Sequence, residues 1–253
     1  NRWPRACSMP ASGSRRPSGL STVLPAHRCL RRRVLRAEPR RPPAVHLLLT
    51  DCLTCPRCGP EFGLILLANE LTDRVVREGV LGCPNCRDSF SIQAGFGDLR
   101  APPRRALEAG LVGAVGCHDA ADAERIAALI GVARGPGTVA LVGGLAGYGP
   151  TIADLTEDLQ VVGIDGDLRE WPPDPSWSRI VAGPGLPFFS RSLRGVAIDG
   201  RLGRRWIDEA ARVVASMSRV VVTDASAEAG AWLEEAGLKV IVSEQETVVG
   251  ARS

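Results

Sequence analysis

Thr138–Asp167 reads TVALVGGLAGYGPTIADLTEDLQVVGIDGD, and its pattern decides the fold. Val139–Val142 is a short apolar run that ends in a cluster of glycines, which marks a strand entering a tight turn. Pro150–Glu157 then suits a helix, with its proline in the first turn, and Gln160–Ile164 reads as a second strand. Strand, helix and strand in that order imply a βαβ unit and parallel pairing. The glycine turn has a chemical reading. Gly143, Gly144 and Gly147, with Gly149 next, let backbone approach a bound nucleotide as no side-chain-bearing residue would. Asp165 lies 21 residues after Gly144, close to the interval at which an acid accepts ribose hydroxyls. A glycine turn alone forms equally well with no ligand; the acid sharpens it.

The alternation continues toward the C-terminus. Strands are expected at Arg179–Val181, Gly195–Ile198, Arg219–Val222, Lys239–Val242 and Thr247–Ala251, and helices at Arg205–Ala215 and Ala227–Ala236. The expected architecture of 138–253 is α/β: a mostly parallel, doubly wound sheet. The connection Ser243–Glu246 is short enough for a hairpin and an antiparallel C-terminal edge strand. Two crossovers look incomplete. Leu168–Ser178 holds three prolines, and no helical pattern separates Val181 from Gly195.

Toward the N-terminus, residues 101–137 form a linker that opens on Pro102-Pro103 and carries a helix at Ala121–Ala133, with Asp119 as its N-cap and Gly135-Pro136-Gly137 as its end. Before it lie two knuckles, Cys55-Pro56-Arg57-Cys58 and Cys83-Pro84-Asn85-Cys86, with 24 residues between them. Two thiolates from each of two tight turns make a tetrahedral four-sulfur site with no open position, which suits structural zinc. Phe62–Asn69 and Arg74–Leu81 read as strands joined through Glu70–Asp73, Ser89–Ile92 as a third, and Gly95–Leu99 as a closing turn. Residues 45–100 are thus a zinc ribbon. Cys52, three residues before Cys55, is expected to pack in the ribbon core rather than bind metal.

The net charge of +3 hides an asymmetry. Residues 1–44 hold 11 arginines and one acid, Glu38, so they carry +10 and leave −7 for the remainder. A general affinity for nucleic acid does not follow. This Arg-, Pro- and Ser-rich tail lacks a hydrophobic period and is expected to be disordered. It reads as a nucleic-acid arm, a transit peptide, or non-native sequence upstream of a natural start near Val45; the last is the expectation here. The 45% apolar content supports a core. Eight cysteines, four of them in knuckles, suit a reducing cytoplasm, and no apolar run is long enough to span a membrane.

Two resemblances add to this reading. LLLTDCLTCPRCG, GVLGCPNCRDSFSI and GFGDLR, across residues about 47–100, resemble the small zinc-ribbon activator of tRNA and protein methyltransferases. VALVGGLAGYG, VVGIDGD, GLPFFSRSLRGVAI, EAARVV, VVVTDA, LEEAGLKVIV and TVVGAR, in that order across residues about 138–253, resemble a Rossmann-like class I S-adenosylmethionine-dependent methyltransferase. The resemblance implies S-adenosylmethionine at Gly143, Gly144, Gly147 and Asp165. It also implies partners among methyltransferases or translation-associated proteins, or RNA.

The departures from that family are specific. Ala140-Leu141-Val142 lacks the acid common near the first strand's end, Gly183-Pro184-Gly185 stands where an adenine-contacting acid is frequent, and Ser216-Met217-Ser218 replaces a Pro-Gly-Gly turn. Each lost charge-assisted hydrogen bond costs about 1.5–3 kcal/mol, so the cofactor pocket is expected to be degenerate. No catalytic base is identifiable. His27 and His46 belong to the tail region, and Cys117-His118 reads as an exposed linker dipeptide. Asp165-Gly166-Asp167 is poor ligation for calcium, and Trp171 and Trp177 are expected to cap the sheet edge.

Two functional readings remain. In one, a ribbon-tethered enzyme methylates RNA or a translation-associated protein. In the other, a non-catalytic zinc-binding scaffold or activator engages a partner methyltransferase. Fusion would also make the ribbon an intramolecular activator, at a local concentration of roughly millimolar.

Overall fold

The computed structural model describes residues 45–113, 118–172 and 174–253. The readings of the 1–44 tail and of Cys117 lie outside the described residues.

The ribbon begins with a strand pair of residues, β1 (Val45–His46), and one helical turn, α1 (Leu47–Thr50). β2 (Thr54–Cys55) and β3 (Gly59–Gly63) flank the first knuckle. β4 (Ile65–Thr72) and β5 (Val75–Gly82) form the long hairpin. Its turn is Asp73-Arg74 rather than Glu70–Asp73. Both residues have positive φ, 52° and 66°, the twist-compatible geometry of a two-residue hairpin. At Gly79 a methyl group would meet the Leu67 carbonyl oxygen at 2.8 Å, so close strand approach requires glycine there. β6 (Ser89–Gln93) follows, and then β7 (Phe96–Leu99), a strand where only a closing turn is expected from the sequence.

β7 joins the ribbon to everything that follows. The nucleotide-type portion contains β8 (Thr138–Val142), β9 (Gln160–Ile164), β10 (Ser178–Ala182), β11 (Leu193–Asp199), β12 (Val214–Thr223), β13 (Lys239–Glu244) and β14 (Thr247–Ala251). The strand order is β7-β10-β9-β8-β11-β12-β14-β13. β10-β9-β8-β11-β12 is the doubly wound 3-2-1-4-5 order, parallel throughout, with the direction of winding reversing between β8 and β11. The fold is Rossmann-like. β14 runs antiparallel, as the short hairpin connection implies, and lies one place in from the edge. On the other side, β7 pairs in parallel with β10 over Phe96–Leu99 and Arg179–Ala182. Ribbon and nucleotide-type sheet are therefore one continuous sheet.

The chain patterns explain the layers. All five β8 residues are buried, as a central strand covered on both faces requires. One face packs α4 (Arg204–Val213, through Ile207, Ala210 and Ala211) and α5 (Ala229–Glu235, through Leu233). The other packs α2 (Ala120–Ile130, through Ala123, Ile126 and Ile130) and α3 (Gly149–Leu155, through Ile152). Each large apolar side chain fully buried this way contributes about 1.5–3 kcal/mol. Asp119 caps α2 as expected, accepting from the Ala121 amide at 3.0 Å. The helix stops at Gly131, in the left-handed region at φ 74°, before the glycine-proline pair expected to end it. Among the described residues, the connection from β9 to β10 holds only a short 3-10 turn (Asp167–Arg169), and the connection from β10 to β11 has no helix. Trp171 and Trp177 are not sheet-edge caps. Both are buried in the core, with Trp177 seated over Gly149 and Gly163, whose missing side chains leave room for the indole.

Candidate functional site

Two sites emerge. The first is the clasp. The sulfurs of Cys55, Cys58, Cys83 and Cys86 all lie within 4.8 Å of one another. The Cys55–Cys86 and Cys83–Cys58 separations are 3.6 and 3.8 Å. A tetrahedron with zinc–sulfur bonds of about 2.3 Å has edges of about 3.8 Å, so the donor set fits zinc. The Cys58 amide donates to the Cys55 sulfur at 3.4 Å, and the Asn85 side-chain amide to the Cys58 sulfur at 3.3 Å; such donors stabilise thiolates. For Cys83, burial opposes ionisation, but the amides of Cys86 and Asn85 outweigh it and bring the thiol down to about 7. Cys86 is pushed up to about 12: the Asp88 amide favours its thiolate, but burial and the neighbouring sulfurs outweigh it. Crowded sulfurs that resist ionising together are what a divalent cation relieves. Cys52 packs against the core, as expected, and takes no part in the cluster.

The clasp is wedged against the nucleotide-type sheet. The Thr54 amide donates to the Pro187 carbonyl at 2.9 Å, and the Phe189 amide to the Cys52 carbonyl at 3.3 Å. The His46 amide donates to the Ser178 hydroxyl at 3.0 Å. Arg179, fully buried, donates to the carbonyls of Leu168 (3.0 Å), Trp171 (2.5 Å) and Ala94 (3.4 Å), which ties the short crossover to the ribbon's β6–β7 turn.

The second site is the glycine turn. The chain after β8 coils through Gly143–Tyr148 as a 3-10 helix, and Gly143 has φ 69°, which only glycine takes without strain. Gly143, Gly144 and Asp165 meet around Leu111 at the carboxyl ends of β8 and β9, where a doubly wound sheet binds ligands, whereas Gly147 faces the His118 ring instead. What faces them is this chain. The Leu111 amide donates to Oδ2 of Asp165 at 3.0 Å, and the Asp167 amide to Oδ1 at 2.9 Å. The Gly110 and Gly113 amides donate to Asp167 at 2.7 and 2.9 Å, and the Trp171 indole N–H to the Gly113 carbonyl at 3.1 Å. Burial pushes the Asp165 carboxyl up, against the pull of the Leu111 and Asp167 amides. The His118 ring lies over Gly147, edge-on to Tyr148 at 4.8 Å, so it is not the exposed linker residue expected. Its Nε2 is buried and has no partner among the described residues.

Asp199 was not anticipated. It is buried at the end of β11, accepts from the Arg201 guanidinium and amide, and accepts from the Gly144 amide at 3.3 Å. A signal existed: Ile164-Asp165-Gly166 and Ile198-Asp199-Gly200 repeat the same three residues at the ends of two parallel strands. Around Gly143 and Asp165 a cavity of about 100 Å³ remains. Small-molecule pockets run to roughly 300–1,000 Å³. Beside it, an open cleft of about 1200 Å³ lies between the first knuckle, the linker, Gly183–Pro187 and α4. Arg100, Arg104, Arg105, Arg204, Arg205 and Arg212 line it. Arg100, Arg204 and Arg212 are committed to Asp98, Glu235 and Glu209.

No family model and no curated protein matches this chain. Solved structures of similar fold exist. A chain of the Haloferax volcanii complex that contains the Trm112 methyltransferase activator shares 16% identity over 51% of this chain and 88% of its own, with a TM-score of 0.41. Precorrin-6Y C5,15-methyltransferase from Geobacter metallireducens shares 13% identity over 52% and 87%, at a TM-score of 0.40. A TehB-like SAM-dependent methyltransferase from Corynebacterium glutamicum shares 14% identity over 53% and 100%, at 0.39. Among the described residues, no helix is long and apolar enough to cross a membrane.

Proposed function

We propose that this protein is a non-catalytic, zinc-clasped scaffold: a methyltransferase-like sheet extended by its own ribbon and closed to S-adenosylmethionine. One observation carries the reading. Every carboxylate oxygen of Asp165 and Asp167 that would receive a ribose hydroxyl accepts instead from a backbone amide of the same chain, and about 100 Å³ is left beside them. The cofactor would have to break these charge-assisted bonds, each worth about 1.5–3 kcal/mol, before making its own. The absent acid in β8 offers it nothing in return. The ribbon supports the same reading. Its inner edge is taken by β10, so it braces this chain's own sheet. Its outer strand β4 leaves Ile65, Leu67 and Leu71 exposed, an apolar edge of the kind that strand addition by a partner uses.

Isothermal titration of the full chain with S-adenosylmethionine tests the proposal. The expected result is no heat and no thermal shift at millimolar ligand; micromolar binding overturns it. The second reading, methyl transfer to RNA or a translation-associated protein, is supported by the doubly wound strand order and by the meeting of Gly143, Gly144 and Asp165 around one point. A positive titration would move the balance to it.

A further inference from the structure

Resting on the reading that the resting protein excludes S-adenosylmethionine, we infer that Leu107–Gly113 is a cis-acting plug, an internal occupant of the nucleotide pocket whose displacement exposes a nucleoside-binding site. The sheet carries the parts of such a site; the linker covers them.

The plug imitates a ligand's chemistry. A ribose presents hydroxyl donors to an acid at the end of the second parallel strand. Here the amides of Leu111 and Gly110 present N–H donors to Asp165 and Asp167 at 3.0 and 2.7 Å. The Gly113 amide adds a third at 2.9 Å, and the Trp171 indole holds the Gly113 carbonyl at 3.1 Å. Its shape fits as well. The Leu111 side chain comes within 3.4 Å of the space above Gly143, and its carbonyl within 3.5 Å of that above Gly144. The Glu108 carbonyl and the Leu107 side chain cover Gly166. Val112 is buried among the apolar residues of the sheet's face. The glycines on both sides of the contact are what permit it. A methyl group built on Gly110 falls directly on Oδ1 of Asp165, so no other residue fits at that point of the linker. Because the plug is tethered, it competes at high effective concentration, and the apparent affinity of any ligand falls by the fraction of chains with the pocket open.

Gly110→Ala tests this with one added carbon. The full-length variant is compared with the parent by hydrogen exchange and by titration with S-adenosylmethionine. The expected result is fast exchange of the Leu111 and Gly113 amides and appearance of ligand binding at least about tenfold tighter than in the parent. That binding should be lost again when Asp165→Ala is added. If the amides become labile but the titration stays silent, the pocket itself is incompetent; the plug is then overturned while the scaffold proposal stands. If the amides stay protected, the linker does not sit as described and the inference also falls. If the parent binds S-adenosylmethionine as tightly as the variant, the scaffold proposal fails first. Should Gly110→Ala not fold, Leu111→Ala removes the side chain over Gly143 without adding atoms, and the same two readouts apply, with the same outcomes decisive.

Discussion

The clasp and the nucleotide pocket are both built from short motifs at strand ends, yet they stand in opposite conditions. In the clasp, four sulfurs converge at the spacing of a zinc tetrahedron and nothing else enters. In the pocket, the glycine turn and its acid converge just as well, and seven residues from the linker fill the space. A metal site is complete when its own side chains meet. A nucleotide site is complete only if the volume in front of the motif is empty, and no property of the motif ensures that.

The largest effect should come from breaking the clasp. Cys83→Ser removes one of four thiolates, and chelation removes the ion itself; either leaves the first knuckle and its contacts to Pro187 and Phe189 unsupported. Structural zinc sites are coupled to folding, so we expect a loss of several kcal/mol, or roughly 10 °C or more in melting temperature. Metal analysis should give one zinc per parent chain and none in the variant. An unchanged melting curve would mean that the shared sheet, not the ion, holds the ribbon.

A smaller loss is expected at the seam between the two regions. Arg179→Leu keeps the volume buried but removes the guanidinium donor from the carbonyls of Trp171 and Ala94 and leaves that of Leu168 only the Trp171 amide. The cost should be about 2–4 kcal/mol, read by urea denaturation. A neutral outcome would show that the β7–β10 pairing alone joins the modules.

Smaller again is the effect inside the pocket. Asp199→Asn weakens the paired contacts to Arg201 and the acceptor for the Gly144 amide, for about 1–2 kcal/mol, and should leave titration with S-adenosylmethionine silent. A loss as large as that of the cysteine variant would make the pocket, rather than the clasp, the main brace.

The smallest concerns the cleft between them. Burial opposes ionisation of Glu209, but Arg212 and the Leu186 amide outweigh it and hold the carboxyl below its ordinary value of 4.5. A depressed folded value means that its stabilising contribution is present above 4.5 and is lost as pH falls through the lower folded value. Glu209→Gln should therefore lower the melting temperature modestly at pH 7, where the carboxylate's contribution is fully present, and flatten the acid limb, the two profiles converging as pH falls below about 4.5. An unaltered acid limb would place the acid sensitivity in other carboxylates, such as Asp98.

How much of this was legible depends on where each partner lies in the chain. The knuckles were readable because two residues separate the sulfurs within each pair and one hairpin brings the pairs together. The β8–β9 unit was readable because apolar runs and glycines set its period locally. β7 was not, because Phe96–Leu99 is too short to declare itself a strand until β10 lies beside it. Asp199 was marked only by its echo of Ile164-Asp165-Gly166, and Arg179 looked like any strand-edge arginine. Trp171 and Trp177 gave no sign of burial, since the room they occupy comes from glycines elsewhere in the chain.

Residue identity and spacing alone specified the four-sulfur cluster, the parallel winding and the glycine turn beside Asp165, because each follows from periodicity or from residues a short way apart in the chain. Whether the space in front of that turn is open was decided by Gly110 and Leu111 meeting Asp165 across more than fifty residues. Long-range packing chose the occupant, since amide donors satisfy a buried carboxylate regardless of which segment supplies them.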